Sequence, residues 1–573
     1  MKKNIQTEFE ERMEKIAFHL NKDLTDKVAK RLSLWQNQNI PSRLWNCDPA
    51  IWKENPAEQK ELADRLGWLN KPYKMLDKYD ELQKFADEIK NEFTNILLLG
   101  MGGSSLAPEV FAKTYGSKPG YPKLEIIDST HPINIKHIAE TYDLAKTLFI
   151  VASKSGGTIE TMSFFYFFYN EVSKFNSNPG NQFVALTDPN TWLENFANEK
   201  KFRKIFSTPS DVGGRYSALT YFGMLPAALM GIDVERFLLN AKEIADECQS
   251  YVEAPKNPGF SLGAALGELY ENGQDKITFF VSQSFSSFPQ WVEQLVAEST
   301  GKDGKGILPI CDEEISPVSY YKNDRVFIFI KLAKDDNTKL DTFISELITA
   351  RKPVLVFELD DVYQLAKEFY RWEIATALSS VVLKIHPFDQ PDVQFAKTLA
   401  GESLKAYKVN GKLPESVPAI VEGAISLIDN KNQFEENDSI SSALNKFFSQ
   451  ADEHDYVSLM AFTEYGSEVS NALQNLGNKI KAKYSLATTI GFGPRFLHST
   501  GQLHKGGKNN GLFLQITNEI KNDIEVPQQG YSFGVLITAQ AQGDFNALVN
   551  KNRKVISLHV TGNLVDAINS ISL

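Results

Sequence analysis

The sequence predicts an α/β protein built on two doubly wound parallel sheets, and three observations carry that expectation. Short apolar runs recur between helical patterns, most of them lack the alternation of a half-exposed strand, and polar glycine-rich clusters fall where the runs end. "NILLLG", "KLEIIDST", "TLFIVASKS" and "FVALTDP" form a first strand set, separated by stretches such as "IETMSFFYFFYNEVSKF". "KITFFVSQS", "RVFIFIKL" and "PVLVFEL" form a second, with "QWVEQLVAEST" between. Strands buried on both faces with helical crossovers imply parallel sheets covered by helices.

The spans follow from this texture. Residues 1–90, rich in Glu, Lys, Leu and Trp, read as a helical N-terminal region; 91–255 hold the first α/β domain and 256–410 the second. Residues 411–573 mix a helical stretch, "ESVPAIVEGAISLID", with the apolar runs "GLFLQIT", "SFGVLIT" and "KVISLHV". No long Pro/Ser-rich spacer precedes this segment, so it reads as packed on the domains before it.

Composition narrows the function. The chain has 573 residues, 42% of them apolar and 23% charged, the balance of a globular protein. A net charge of −11 argues against a nucleic-acid partner, which would need a basic excess. Three scattered cysteines, Cys47, Cys248 and Cys311, make neither a disulfide framework nor a metal cluster, and fit reduced thiols in the cytoplasm. The charged start "MKKNIQTEFEERMEKIAFHL" lacks the apolar core of a signal peptide, and no run nears the ~20 apolar residues of a membrane helix.

In open parallel sheets ligands sit where strands end and helices begin. There "SKSGGTIET" presents the hydroxyls of Ser153, Ser155 and Thr158, the cation of Lys154, and two glycines that let backbone amides approach a ligand. A helix N-terminus so furnished binds phosphate, although an ordinary N-cap uses the same residue types. "GMGGSSLAP", with Ser104, lacks a Walker lysine and the dinucleotide spacing. In "DVGGRYSALTYFGMLP" Arg215 stands at the mouth of an apolar helix, either clamping an anion or lying over an apolar face. "WVEQLVAESTGK" puts Gln294 and Glu298 on one helix face; Glu298 is a candidate general base or a solvated glutamate. "IHPFDQPDVQFAK" places Lys397 two turns below Gln390, and "FGPRFLHSTGQLHKGG" carries His498, Gln502 and His504, the last as readily exposed as not.

Taken in order, "GMGGSS", "SKSGGTIET", "GGRYSALTYFGMLP", the Gln294–Glu298 pair with "ESTGK", and "PFDQPDVQFAK" resemble the phosphoglucose isomerases. "RLWNCDPAIW", "LADRLGWLN", "LLLGMGGSSLAPEVF" and "RFLHSTGQLHKGG" are similar to the isomerase half of bifunctional transaldolase/phosphoglucose isomerase proteins in particular. The resemblance runs from about residue 40 to the C-terminus. The preceding residues are too few for a (β/α)₈ barrel of at least ~200 residues, so transaldolase chemistry is not expected.

The resemblance implies two SIS-type (sugar isomerase) domains with a C-terminal segment, a homodimer, and interconversion of glucose 6-phosphate and fructose 6-phosphate without metal or organic cofactor. It implies that Ser153, Ser155 and Thr158 hold the phosphate with Lys154 and Ser104 beside them. Arg215 would face the enediolate and Glu298 would be the base, with Gln294 and Gln390 positioning. Lys397 and His498 would open the ring. Two departures stand out. The histidine segment falls about a hundred residues after Lys397 instead of before "FDQ", and His386 occupies a place where the family usually has Asn, which makes it a rival for ring opening. A sugar-phosphate sensor without turnover, or an isomerase of a related phosphosugar, are the other readings.

Overall fold

The computed structural model describes residues 16–435 and 437–573. They form two compact units, neither a run of consecutive sequence. One gathers residues 16–91, Leu106–Tyr121 and Pro209–Asp389; the other gathers Glu92–Ser105, Pro122–Thr208 and 390–573.

The first unit contains a five-stranded sheet in the order Ile16–His19, Val354–Leu359, Arg325–Leu332, Lys276–Val281, Leu308–Ile310. All neighbours are parallel except the edge strand Ile16–His19, which runs antiparallel to Val354–Leu359. That strand corrects the expectation of an all-helical N-terminal region; the part of that expectation on residues 1–15 lies outside the described residues. The "IAFH" run is too short to nucleate a helix alone, and the open edge of the sheet offers it a hydrogen-bonding partner. Helices Pro258–Glu271 and Leu365–Leu383 pack at close range. Gly259, Gly263 and Gly267, four apart, form a stripe in which any Cβ would come within 2.5–2.8 Å of Ile374, Leu378 and Val382, the matching ridge of the other helix. This packing anchors the helix that leads into the 384–389 loop.

The second unit contains a fully parallel five-stranded sheet, ordered Lys123–Ile127, Asn95–Gly100, Thr147–Ala152, Phe183–Thr187, Lys204–Ser207. From Asn95–Gly100 the chain winds to one side, and from Thr147–Ala152 to the other. The crevice at their carboxyl ends is the topological switch point, where doubly wound sheets take ligands. The loops that leave it are 101–105 and 153–158.

The C-terminal segment builds a further sheet of six strands: Ile420–Glu422, Ile425–Asp429, Lys554–Val560, Gly511–Asn518, Tyr456–Phe462, Ala487–Phe492. Its own core includes Leu459, Leu514, Ile556 and Leu473. The stretch "ESVPAIVEGAISLID", expected as helix, is instead an antiparallel hairpin with Glu422 opposite Ile425. Gly423 takes a φ of +58°, as a two-residue hairpin turn demands, and the flanking Val and Ile favour strand. Of the three apolar runs, two are strands, while "SFGVLIT" opens the helix Phe533–Asn550.

Candidate active site

The hydroxyl loop follows strand Thr147–Ala152, and helix Ile159–Ser173 follows the loop. Thr158 is the N-cap, but its Oγ1 lies 3.0 Å from Ser153 Oγ instead of capping a helix amide. Gly156 has a φ of +71°, and a Cβ there would stand 2.9 Å from the backbone nitrogen of Leu193. Only glycine closes this turn without strain. Ser155, Gly157 and Thr158 line a cavity of about 320 Å³, together with Lys397 and His498. Ser153 lies buried behind Thr158, and Lys154 is turned into an ion pair with Asp188. Ser104 and Gln390 are not part of this lining. Ser104 ends a short turn, Gly102–Ser104, that lies against the turn Arg495–His498, and Gln390 is the N-cap of helix Pro391–Asn410.

Lys397 reaches the cavity because that helix is fixed at its start. The Gln502 side chain accepts from the backbone N–H of Asp392 at 2.9 Å and donates to the Asp392 carboxylate at 2.8 Å. The His498-x-x-x-Gln502 spacing in the sequence therefore serves two tasks: one residue enters the cavity and the other caps the helix bearing Lys397.

Glu160 is the residue that sequence reasoning missed. It sits in the first turn of helix Ile159–Ser173, 3% exposed, with Oε1 3.0 Å from His498 Nε2. Burial alone would raise its pKa, but His498 and Lys397 draw it down to about 2, so the carboxylate is charged. Its partners come from distant parts of the chain, so the only signal in the sequence is an acid next to a phosphate-type loop. Lys505 also lines the cavity and pairs with Asp544 at 2.5 Å, both buried.

His504 is buried, not exposed: it stacks among Tyr456, Phe496 and Phe513. Burial, with Lys505 and Arg553 adding to it, pushes its pKa well below the usual histidine value. The cavity lining includes His498 and neither His504 nor His386.

The other unit holds the second constellation. Arg215, in the turn Gly214–Tyr216, is 3% exposed. Its Nε donates to Ser299 Oγ at 2.8 Å, and Nη2 donates to the carbonyls of Pro387 at 2.6 Å and Asp389 at 3.0 Å. Its Nη1 stands 3.6 Å from Glu298 Oε1, and Gln294 Nε2 donates to Glu298 Oε2 at 3.1 Å. Glu298 is thus buried, not solvated. Lys302, buried two residues beyond the helix end, donates to the Asp389 carbonyl at 2.6 Å and its carboxylate at 2.8 Å. Burial and the nearby Arg215 lower its pKa to about 8. His386 Nδ1 accepts the backbone N–H groups of Phe388 and Asp389, at 3.1 and 3.2 Å. Its burial, deepened by the charges of Lys302 and Arg215, brings its pKa to about 4. A neutral, acceptor imidazole is a loop brace, which is what an asparagine side chain could also supply. Among the described residues no group of three or more His, Cys, Asp or Glu is arranged to hold a metal ion.

One unit thus gathers hydroxyls at a switch point with a lysine and a histidine sharing their cavity, and the other holds a buried guanidinium–carboxylate–amide set; these are groups able to hold an anion and to move protons. In fold, a hypothetical protein of Thermus thermophilus superimposes with a TM-score of 0.55 at 21% identity, covering 68% of this chain and all of that one. A glucose-6-phosphate isomerase of Chlamydia trachomatis gives 0.50 at 18% identity, over 66% of this chain and 79% of its own. Residues 75–318 match the phosphoglucose isomerase family model. It is 29% identical to a probable glucose-6-phosphate isomerase of Methanococcus maripaludis, over 62% of this chain and 88% of that protein. It is 28% identical to the glucose-6-phosphate isomerase of Methanocaldococcus jannaschii, over 58% of this chain and 87% of that one. The matched family range includes Ser104, the hydroxyl loop, Glu160, Arg215 and Glu298, and ends before Lys397 and His498.

Proposed function

We propose that the protein interconverts glucose 6-phosphate and fructose 6-phosphate through a cis-enediol intermediate. The observation that carries this reading is the cavity in which Ser155 and Thr158 meet Lys397 and His498. Its size suits a small polar ligand. The hydroxyls and the N–H groups of the helix start hold the 6-phosphate, and this remote binding aligns the reacting carbons. His498 and Lys397 exchange protons with the ring oxygen and ring hydroxyl, which opens the ring. Glu298 takes the C2 proton of the open aldehyde and returns it to C1; one carboxylate serves both because the two carbons share a face of the cis intermediate. Arg215, permanently charged, offsets the oxyanion that develops as the proton leaves. Gln294 and Gln390 position, and Ser153, Lys154 and Ser104 support the phosphate loop.

The spans 91–255 and 256–410 are assigned as the two sugar-isomerase domains, the working state as a homodimer and the location as the cytoplasm. Among the described residues no helix is long and apolar enough to cross a membrane. The test is a coupled assay that follows glucose 6-phosphate formed from fructose 6-phosphate. Turnover that Glu298→Gln abolishes supports the reading. Saturable binding of fructose 6-phosphate without turnover by the unaltered protein would replace it with a sensor.

A further inference from the structure

Three hydrogen bonds run in series behind the histidine of the cavity. Thr130 Oγ1 donates to Gln540 Oε1 at 3.0 Å; Gln540 Nε2 donates to Glu160 Oε1 at 2.7 Å; and the same Oε1 stands 3.0 Å from His498 Nε2. Thr130 is fully buried, and Gln540 and Glu160 are 4% and 3% exposed. They come from a loop after strand Lys123–Ile127, from helix Phe533–Asn550 and from helix Ile159–Ser173. The direction of the series is fixed by chemistry. An ionised carboxylate only accepts, so the amide must turn its NH₂ to Glu160, and its oxygen then accepts the threonine hydroxyl.

We propose that Gln540, oriented by Thr130, is a positioning residue that fixes Glu160 and through it the tautomer of His498, with Nε2 carrying the proton and Nδ1 basic. The amide shares Oε1 with the imidazole, so its N–H takes up part of the negative charge that His498 would otherwise meet. This restrains the ring. The charged and titratable groups around the dyad are Lys397 on helix Pro391–Asn410, Lys505 on Gly501–Gly506 with its partner Asp544 on Phe533–Asn550, and Tyr531, whose pKa Glu160 helps to raise. None of them donates to Glu160 Oε1 in the place of Gln540.

The role rests on the isomerase reading, but its test does not need turnover. In Gln540→Leu the His498 ring, followed by NMR of labelled imidazole, should titrate about half a unit to one unit higher, because the carboxylate is no longer shared. The kcat for fructose 6-phosphate should fall about tenfold, with its pH midpoint moved the same way and KM little changed. Thr130→Val should shift both in the same direction by less, and Thr130→Ser, which restores the hydroxyl, should recover the wild-type midpoint. An unshifted His498 titration in folded Gln540→Leu and Thr130→Val overturns the proposal, as does a uniform loss of rate at every pH. A shifted titration in a protein that turns over no hexose phosphate would keep the positioning role and remove the isomerase reading instead.

Discussion

Glu298 Oε1 and Arg215 Nη1 lie 3.6 Å apart, and both side chains are buried. The guanidinium is held by Ser299 and by the carbonyls of Pro387 and Asp389, so it cannot fold down onto the carboxylate as a surface pair would. In the isomerase proposed above, this fixed cation would stand beside the charge that develops as Glu298 takes up a proton. Four expectations follow from this and from the other geometry.

Glu298→Gln keeps shape and the contact with Gln294 but removes the proton acceptor. Turnover should fall by about a thousandfold or more, since general base catalysis accounts for effects of that order. Calorimetry with fructose 6-phosphate should show affinity within a fewfold of the unaltered protein. A rate near wild type would remove the base assignment.

Arg215→Lys keeps the charge and loses the fork. A single ammonium cannot reach Ser299 and two carbonyls while facing Glu298. We expect kcat to drop about a hundredfold, the scale of one lost oxyanion donor. The thermal midpoint should fall as well, because buried carbonyls lose their donors. Steady-state kinetics and a melting curve check both.

Gly156→Ala puts a Cβ against Leu193 at a residue held at positive φ. The left-handed conformation alone costs about 1–2 kcal/mol for a residue with a side chain, so the loop should relax away from the conformation proposed to hold the phosphate. KM for fructose 6-phosphate should rise about tenfold or more, by the conversion of about 1.4 kcal/mol to a factor of ten. A KM unchanged from wild type would show that the loop does not hold the phosphate.

His386 gives a pH expectation with a definite sign. Its pKa is about 4 in the fold against about 6.5 when unfolded, so the unfolded chain binds the extra proton between those values. Its contribution is complete above about pH 6.5 and is lost as pH falls towards 4. Unfolding by urea at pH 5 should therefore give about 2 kcal/mol less stability from this residue than at pH 7. His131, buried and brought to about 4 by that burial, adds a parallel loss. His386→Asn keeps an acceptor for Phe388 and Asp389 without titrating, and should reduce the difference between pH 7 and pH 5 by its share. An unchanged difference would show that the histidine is not the titrating group.

Local chemistry was legible wherever it is written in neighbouring residues. The buried strand "TLFIVA", the glycine turn after it and the helix start at Ile159 all follow from short-range sterics and burial, and the structure has them where the residues place them. The Gln294–Glu298 contact follows from helical spacing in the same way. The hairpin at 420–429 misled because "AIVEGAISLID" is apolar at intervals compatible with helix, and the turn at Gly423 and the neighbouring strand Lys554–Val560 decide the matter.

The α/β alternation, the place of the hydroxyl loop at a strand end, and the residue types able to bind an anion or move protons can all be read from neighbouring residues. That Glu298 and Arg215 are buried side by side, that His504 is a core residue, and that Glu160 meets His498 and Gln540 follow only from the folded chain. Backbone preference and periodicity act over a few residues, while burial and charge pairing depend on which distant segments the fold closes together.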